Sequence, residues 1–381
     1  MKKIMFILAA AFICLGYVKE VRASDGEVTE ILGEELLGDM DFARVQEMMD
    51  EMLGDDSFSF MELLKNIMTG KETFSKEAVQ ELLRGLFFAR FAQEKGTFLK
   101  ILLLVLIAAV FSNFVDVFGN GQIGEVNFYG VYMLLFTILM DSFADTAGTL
   151  TGQLSWMAEF MKVLAPAYLA AVSASAGAAS AAVFYEGILL LVWGIQWILL
   201  TVILPAVNLY MLLCFVNHLS KVEMLSKMSE LLETVISWGM KSLLGAAVGL
   251  QVVKNLIAPV MDSLKRSALG KTAGAIPGIG NAVNTVTELV ITSAVLVRNS
   301  LGVVALVILV LAGLGPVIHY GMLSLSYKFL AALSQPVSDK RIVGALGTMG
   351  EGAAMLLRIL FTAEILCMLT FLVLMAGVGG L

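Results

Sequence analysis

Four prolines divide the apolar part of this 381-residue chain into two units of one design. Pro166 and Pro205 are 39 residues apart, Pro277 and Pro316 are again 39 apart, and the second pair follows the first by 111 residues. The flanks agree. Leu164-Ala165-Pro166 aligns with Ala275-Ile276-Pro277, and Leu204-Pro205-Ala206-Val207-Asn208 with Gly315-Pro316-Val317-Ile318-His319. A proline inside a helix removes one backbone hydrogen bond and kinks or divides the helix. Proline-interrupted apolar segments at matching positions in two halves resemble the way transporter-like membrane proteins are built. Two ordinary membrane hairpins sharing a spacing is the plainer alternative.

The surrounding composition sets the class. Hydrophobic residues make up 59% of the chain and charged residues 15%, against about 25% charged in a soluble domain. Several apolar stretches are long enough to cross a bilayer, which takes roughly 20 residues. The expected fold is all-α: a polytopic helical membrane protein with seven or eight spans and two proline-marked internal repeats. A signal peptide and a small helical extracytoplasmic region precede it. The net charge of −7 comes largely from the N-terminal hundred residues, and no basic patch interleaved with aromatics points to nucleic acid.

Residues 1–23 read as a secretory signal peptide. Lys2-Lys3 form the charged start, Ile4 to Leu15 the apolar core, and Val21-Arg22-Ala23 the small-residue cleavage site, leaving Ser24 first. An uncleaved anchor is the alternative, although the apolar run is short for a span. Cleavage leaves Cys214 and Cys367, both within apolar helices, where they read as buried small hydrophobes rather than a disulfide or metal site.

Residues 24–98 are acidic, rich in Met and amphipathic. Leu36, Leu37, Met40, Val45, Met48, Met49 and Met52 recur at three-and-four spacing among Asp39, Asp41, Glu47, Asp50 and Glu51. Gly54-Asp55-Asp56-Ser57 and Thr69-Gly70-Lys71-Glu72 break the region into two or three short helices. Its acidic face reads as solvated, or as a docking surface for another extracytoplasmic protein.

The first two transmembrane helices occupy residues 99–159, with spans expected at Leu99–Phe118 and Tyr129–Ala147. Repeat 1 covers residues 160–270 and repeat 2 residues 271–381. Repeat 1 holds Val163–Phe184, rich in small residues that let helices approach closely, then Ile188–Val216. An interfacial amphipathic stretch between His218 and Glu233 follows, and then the ambiguous span Val235–Val260, which carries Lys241, Gln251 and Lys254. Repeat 2 gives Ala275–Val297, Leu301–Ser324 and Gly350–Leu374. A cleaved signal places residues 24–98 outside, whereas Arg84, Arg90, Lys95 and Lys100, just ahead of the first span, would suit the cytoplasmic side. The signal takes precedence because long translocated segments obey that rule poorly. Alternating from there puts the basic loops Lys254–Lys271 and Lys328–Arg341 inside, in keeping with the positive-inside rule for eight spans.

Catalytic patterns are missing from the sequence. It holds two histidines, His218 and His319, and neither HExxH, GxSxG nor GxxxxGK[ST]. No catalytic residue, metal ligand or cofactor is therefore expected, and nucleotide hydrolysis would need a separate subunit. The candidate pathway or helix-break residues are Pro166, Pro205, Asn208, Pro277, Gly278, Gly280, Pro316 and His319. Gly274 to Gly280 read as a helix-breaking turn, because irregular backbone at membrane depth survives only where protein or water satisfies it. Asn208 and His319, each three residues after a repeated proline, either satisfy carbonyls freed by the kink or line a polar cavity. Glu186, Glu288, Arg358 and Glu364 are ionisable groups in or near spans, where they are costly and so default to functional candidates.

The runs Lys271-Thr272-Ala273-Gly274-Ala275-Ile276-Pro277-Gly278-Ile279-Gly280 and Leu333-Ser334-Gln335-Pro336-Val337-Ser338-Asp339-Lys340-Arg341, with the Pro316 segment before the latter, resemble the stage III sporulation protein AE family of endospore-forming Firmicutes. So does the order of signal peptide, acidic region and multi-pass domain. The resemblance implies a non-enzymatic component of a mother-cell membrane complex, multi-pass in the membrane around the forespore. It would be built with other stage III A membrane proteins, among them a separate cytoplasmic ATPase. It would join a forespore-side partner across the intermembrane space in a channel needed after engulfment. A self-contained secondary transporter with a substrate site between the repeats is the alternative. The family offers no active-site residues to carry over.

Overall fold

The computed structural model describes residues 42–53, 59–69, 121–176, 193–220, 224–246, 280–336 and 338–376, with single residues between these segments. All regular structure among them is helical. The expected signal peptide with Ala23 and Ser24, most of the span Leu99–Phe118, and the turn with Pro277 and Gly278 lie outside the described residues.

Two short helices come first, α1 (Ala43–Leu53) and α2 (Phe60–Met68). They stop where the Gly54 and Gly70 breaks were expected. Ser59 starts α2 because its hydroxyl accepts the Glu62 N–H at 3.3 Å, satisfying one of the orphan donors of a helix start. Val45, Met48 and Met49 of α1 and Phe60, Leu63, Leu64 and Ile67 of α2 are buried. The amphipathic stripe thus packs into the same hydrophobic core as the long helices.

The bundle is made of long helices. The helix α3 covers Gly121–Ala176, α4 Leu204–Leu219, α5 residues 226–246, α6 Gly280–Ser334 and α7 Lys340–Ala376. A π-helical turn, Leu199–Ile203, leads directly into α4, with Pro205 in its first turn. Among the described residues four stretches are long and apolar enough to cross a membrane: Phe128–Ala174, Trp193–Leu219, Leu289–Ser334 and Lys340–Leu372.

Two expected breaks between spans are continuous helix. Tyr129–Ala147 and the start of Val163–Phe184 belong to the single α3, and the described parts of Ala275–Val297 and Leu301–Ser324 to the single α6. The linking residues explain this. Between the first two, Leu150, Leu154, Met157, Ala158 and Met161 form a buried stripe at helical spacing, and no proline intervenes. Between the second two, Arg298 and Ser300 are fully buried instead of exposed in a loop. At 1.5 Å per residue α3 is about 84 Å long and α6 about 82 Å, against a hydrocarbon core of roughly 30 Å. Both extend well beyond one membrane crossing.

The pairs α3–α4, α3–α6 and α6–α7 pack antiparallel, so α3 and α7 run parallel. Near one end of the bundle Tyr132 of α3 donates to the Phe215 carbonyl of α4 at 2.6 Å, and Ser324 of α6 donates to the Gly350 carbonyl of α7 at 2.7 Å. At mid-length the Tyr320 hydroxyl of α6 meets the Thr146 carbonyl of α3. Toward the other end the rings of Tyr168 in α3 and Phe371 in α7 lie 6.1 Å apart. The α1–α2 pair docks there: Trp156 Nε1–H donates to the Met48 carbonyl at 3.0 Å.

The segment between His218 and Glu233, expected to lie in the membrane interface, begins a hairpin at the end of α4. Leu225 N–H donates to Asn217 Oδ1 at 2.9 Å. Ser229 reaches Cys214, Glu233 acts electrostatically on Tyr210, and a Cβ on Gly239 would sit 3.1 Å from Ile203 Cδ1. The partners move steadily backward along α4 as they move forward along α5. Thus α5 runs antiparallel beside α4, burying Ile236 and Met240.

Candidate functional site

The described sequence candidates do not converge on one place. Pro166 lies inside α3 on its exposed face, and Pro205 follows the π-helical turn, where its missing N–H is tolerated at a helix start. Asn208 projects from the exposed face of α4, whereas His319 is half-buried on α6. Gly280 opens α6. Pro316 sits buried within α6 without interrupting it.

Pro316 nonetheless marks an unusual stretch. Lacking an N–H, it leaves the carbonyl four residues earlier, that of Ala312, without its helical partner. The next residue, Gly313, faces Glu364 of α7, and a Cβ at 313 would occupy the space held by the carboxyl oxygens. Glu364 is 3% exposed, and its Oε2 has no hydrogen-bond partner among the described residues. Arg358, six residues earlier on the same helix, is exposed, so the two do not pair. Glu186 and the side chain of Glu288 lie outside the described residues.

A second polar group lies where α4, α5 and α7 meet. Tyr210 of α4 donates to Glu351 Oε2 of α7 at 3.3 Å, and Glu233 of α5 acts on the same tyrosine. One turn along α4, Cys214 is within hydrogen-bonding reach of Tyr210 and Ser229. One turn further, His218 Nε2 and Thr348 Oγ1 are 3.0 Å apart, with the imidazole filling the space beside Gly344. At the outer edge Lys227 pairs with Glu230 at 2.8 Å. The hydrogen bond and charge of Glu230 hold this ammonium above the usual lysine range. Among the described residues no three His, Cys, Asp or Glu side chains are placed to hold a metal.

The family-like run before α7 has a structural part to play. Asp339 Oδ1 accepts the Arg341 N–H at 2.8 Å, and the Arg341 guanidinium is 3.2 Å from Asp339 Oδ2. The same guanidinium lies 3.3 Å above the Phe128 ring of α3. One arginine thus ties the α6–α7 turn to α3, a favourable cation–π geometry.

Sequence reasoning passed over Arg298. It is fully buried on α6, its Nη2 donating to Asn299 Oδ1 at 3.0 Å and to the Met375 carbonyl at 3.5 Å. A cation on the last turn of α7 suits that helix end. The one signal was a lone arginine between two apolar runs, which resembles a connector between spans.

Comparison with known proteins follows the same chain regions. The family model described as stage III sporulation protein AE matches residues 58–379. The stage III sporulation protein AE of Bacillus subtilis (strain 168) is 26% identical over 276 residues, covering 71% of this chain and 69% of the relative. No solved structure matches.

Proposed function

This chain belongs to the stage III sporulation protein AE family, and we propose that it is a non-enzymatic integral-membrane subunit of a mother-cell/forespore channel complex needed after engulfment. The observation that carries this reading is the extent of the match. It spans residues 58–379 and takes in the four helices that, among the described residues, are apolar enough to cross a membrane. The reading assigns residues 24–98 to the extracytoplasmic side. It gives the chain other stage III A membrane proteins as partners, including a separate cytoplasmic ATPase, and through the assembly a forespore-side partner. Within it, the candidate pathway residues of the two repeats border the conduit. Tagged full-length chain isolated from sporulating membranes is expected to bring down other stage III A proteins. Recovery of the chain alone, from gentle detergent and at normal level, would contradict the assembly.

Glu364 favours a second reading, a self-contained secondary transporter with its substrate site between the repeats. Coupled transporters place carboxylates inside the membrane, and Glu364 is enclosed against the middle of α6. Purified chain in liposomes separates the two, since a transporter moves solute without partners and a conduit subunit does not.

A further inference from the structure

The hairpin partner α5 presents three distinct faces. At 100° per residue, Leu225, Ser229, Leu232, Ile236 and Met240 fall on one stripe roughly 80° wide. Ser229, Ile236 and Met240 are buried, and Leu225 and Leu232 half-buried. A second stripe of similar width holds Met224, Met228, Leu231, Val235 and Trp238, all exposed large apolar residues. The third holds Lys227, Glu230, Glu233, Thr234, Ser237 and Lys241, exposed except for the half-buried Ser237.

The depth of this third face is set by α4. Gly239 lies against Ile203, and Ile203 is about 24 Å along the helix from Leu219 at 1.5 Å per residue. Trp193–Leu219 is apolar enough to cross a membrane, so the part of α5 around Gly239 and Lys241 stands well inside the same layer. The exposed apolar stripe continues the outer surface of the helical stretch Trp193–Leu219, where Trp197, Val202, Leu209, Leu212 and Val216 are also exposed. Hydrocarbon suits both. It does not suit lysine and glutamate side chains, which within a membrane face a bundle interior or a water-filled cavity. At its Glu233 edge the polar face approaches α7, because Glu233 acts on Tyr210, whose hydroxyl donates to Glu351 Oε2 at 3.3 Å.

We infer that the polar face of α5, with Glu351 of α7 opposite, lines a water-filled cleft. It enters the membrane from the end of the bundle where α4 turns into α5. The inference deepens the proposed function and rests on its placement of α4 in the bilayer. It offers a hydrated route of mixed charge, suited to small polar solutes or to water and ions.

Cysteine accessibility in the full chain, expressed in its own complex in sporulating-cell membranes, tests it. Single cysteines replace Thr234, Ser237 or Lys241 on the polar face and Val235 or Trp238 on the apolar stripe. A charged, membrane-impermeant thiol reagent is added to membranes open on both sides. Wild-type Cys214 and Cys367 supply the background. The polar-face positions are expected to react at least about tenfold faster than the stripe positions, because charged reagent is excluded from hydrocarbon. Equally slow reaction on both faces would overturn the cleft, since protein or lipid would then cover it. Equally fast reaction would also overturn it, placing α5 in bulk water. Spore counts from the same strains separate the two levels of the argument. Normal spores with slow labelling remove the cleft and leave the proposed function standing.

Discussion

The carboxyl group of Glu364 on α7 packs directly against the backbone of Gly313 on α6, in space that any side chain at 313 would need. This contact sets how closely the two helices approach at mid-length, beside the carbonyl that Pro316 leaves unbonded. Gly313→Ala therefore gains helix propensity of about 1 kcal/mol but incurs overpacking of about 1–3 kcal/mol. Gly313→Val crowds the site further. Net destabilisation is expected, seen as a lowered Tm of the detergent-solubilised full chain. Adding Glu364→Ala is expected to restore most of the loss. No recovery in the double variant would show that the glycine is needed for some other contact.

Arg341 is pinned between Asp339 and the Phe128 ring. Lysine keeps the charge but loses the planar stack and the two-point fork. Arg341→Lys is expected to cost about 0.5–2 kcal/mol, and Phe128→Leu a similar amount. The two together should cost less than the sum of the singles. Strict additivity in thermal unfolding would mean that the ring and the guanidinium do not interact.

The parts legible in the sequence were those fixed by local chemistry. Apolar content gave the all-helical class, and Gly54 and Gly70 bounded the two short helices. Where neighbours decide, the sequence said less. Arg298 resembled a turn between spans, and only packing against Asn299 and the end of α7 makes it a buried helical residue. The stripe from Leu150 to Met161 falls between two expected spans, with Thr149 beside it and Thr151, Gln153 and Ser155 between its members. The two threonines return hydrogen bonds to Asp145 and Ala147 within the helix. Helix α5 has enough charge to suggest an interface, and its pairing with α4 depends on contacts such as Gly239 on Ile203, which no single-chain periodicity encodes. Of the pathway candidates, Asn208 was grouped with His319 by repeat position alone, and the fold turns it outward.

The bundle sets a definite expectation for sidedness. The α1–α2 pair docks at the end opposite the turn joining α6 to α7. Cysteine at Glu51 in α1 and at Gln335 in that turn, both exposed positions, should therefore report opposite compartments. In intact cells an impermeant maleimide is expected to label position 51 and to reach position 335 only after permeabilisation. Labelling of 335 first would invert the topology, and labelling of both would remove the membrane between them.

Gly280 opens α6, and with Gly278 it belongs to the proposed pathway set. If they border the pathway, Trp at either position should abolish sporulation while the chain stays inserted at normal level by immunoblot of membranes. Loss of the protein would assign these glycines to folding. Full sporulation with both substituted would move the pathway elsewhere, toward the cleft beside α5 or to a boundary with partner subunits.

The central claim is that this chain is a membrane subunit required for sporulation after engulfment. The most direct measurement is disruption of its gene in the spore former that carries it, followed by microscopy of sporangia and counts of heat-resistant spores. The account predicts forespores that are engulfed and then arrest, with spore formation restored by the full chain expressed from a second locus. Normal numbers of heat-resistant spores in the disrupted strain would contradict it.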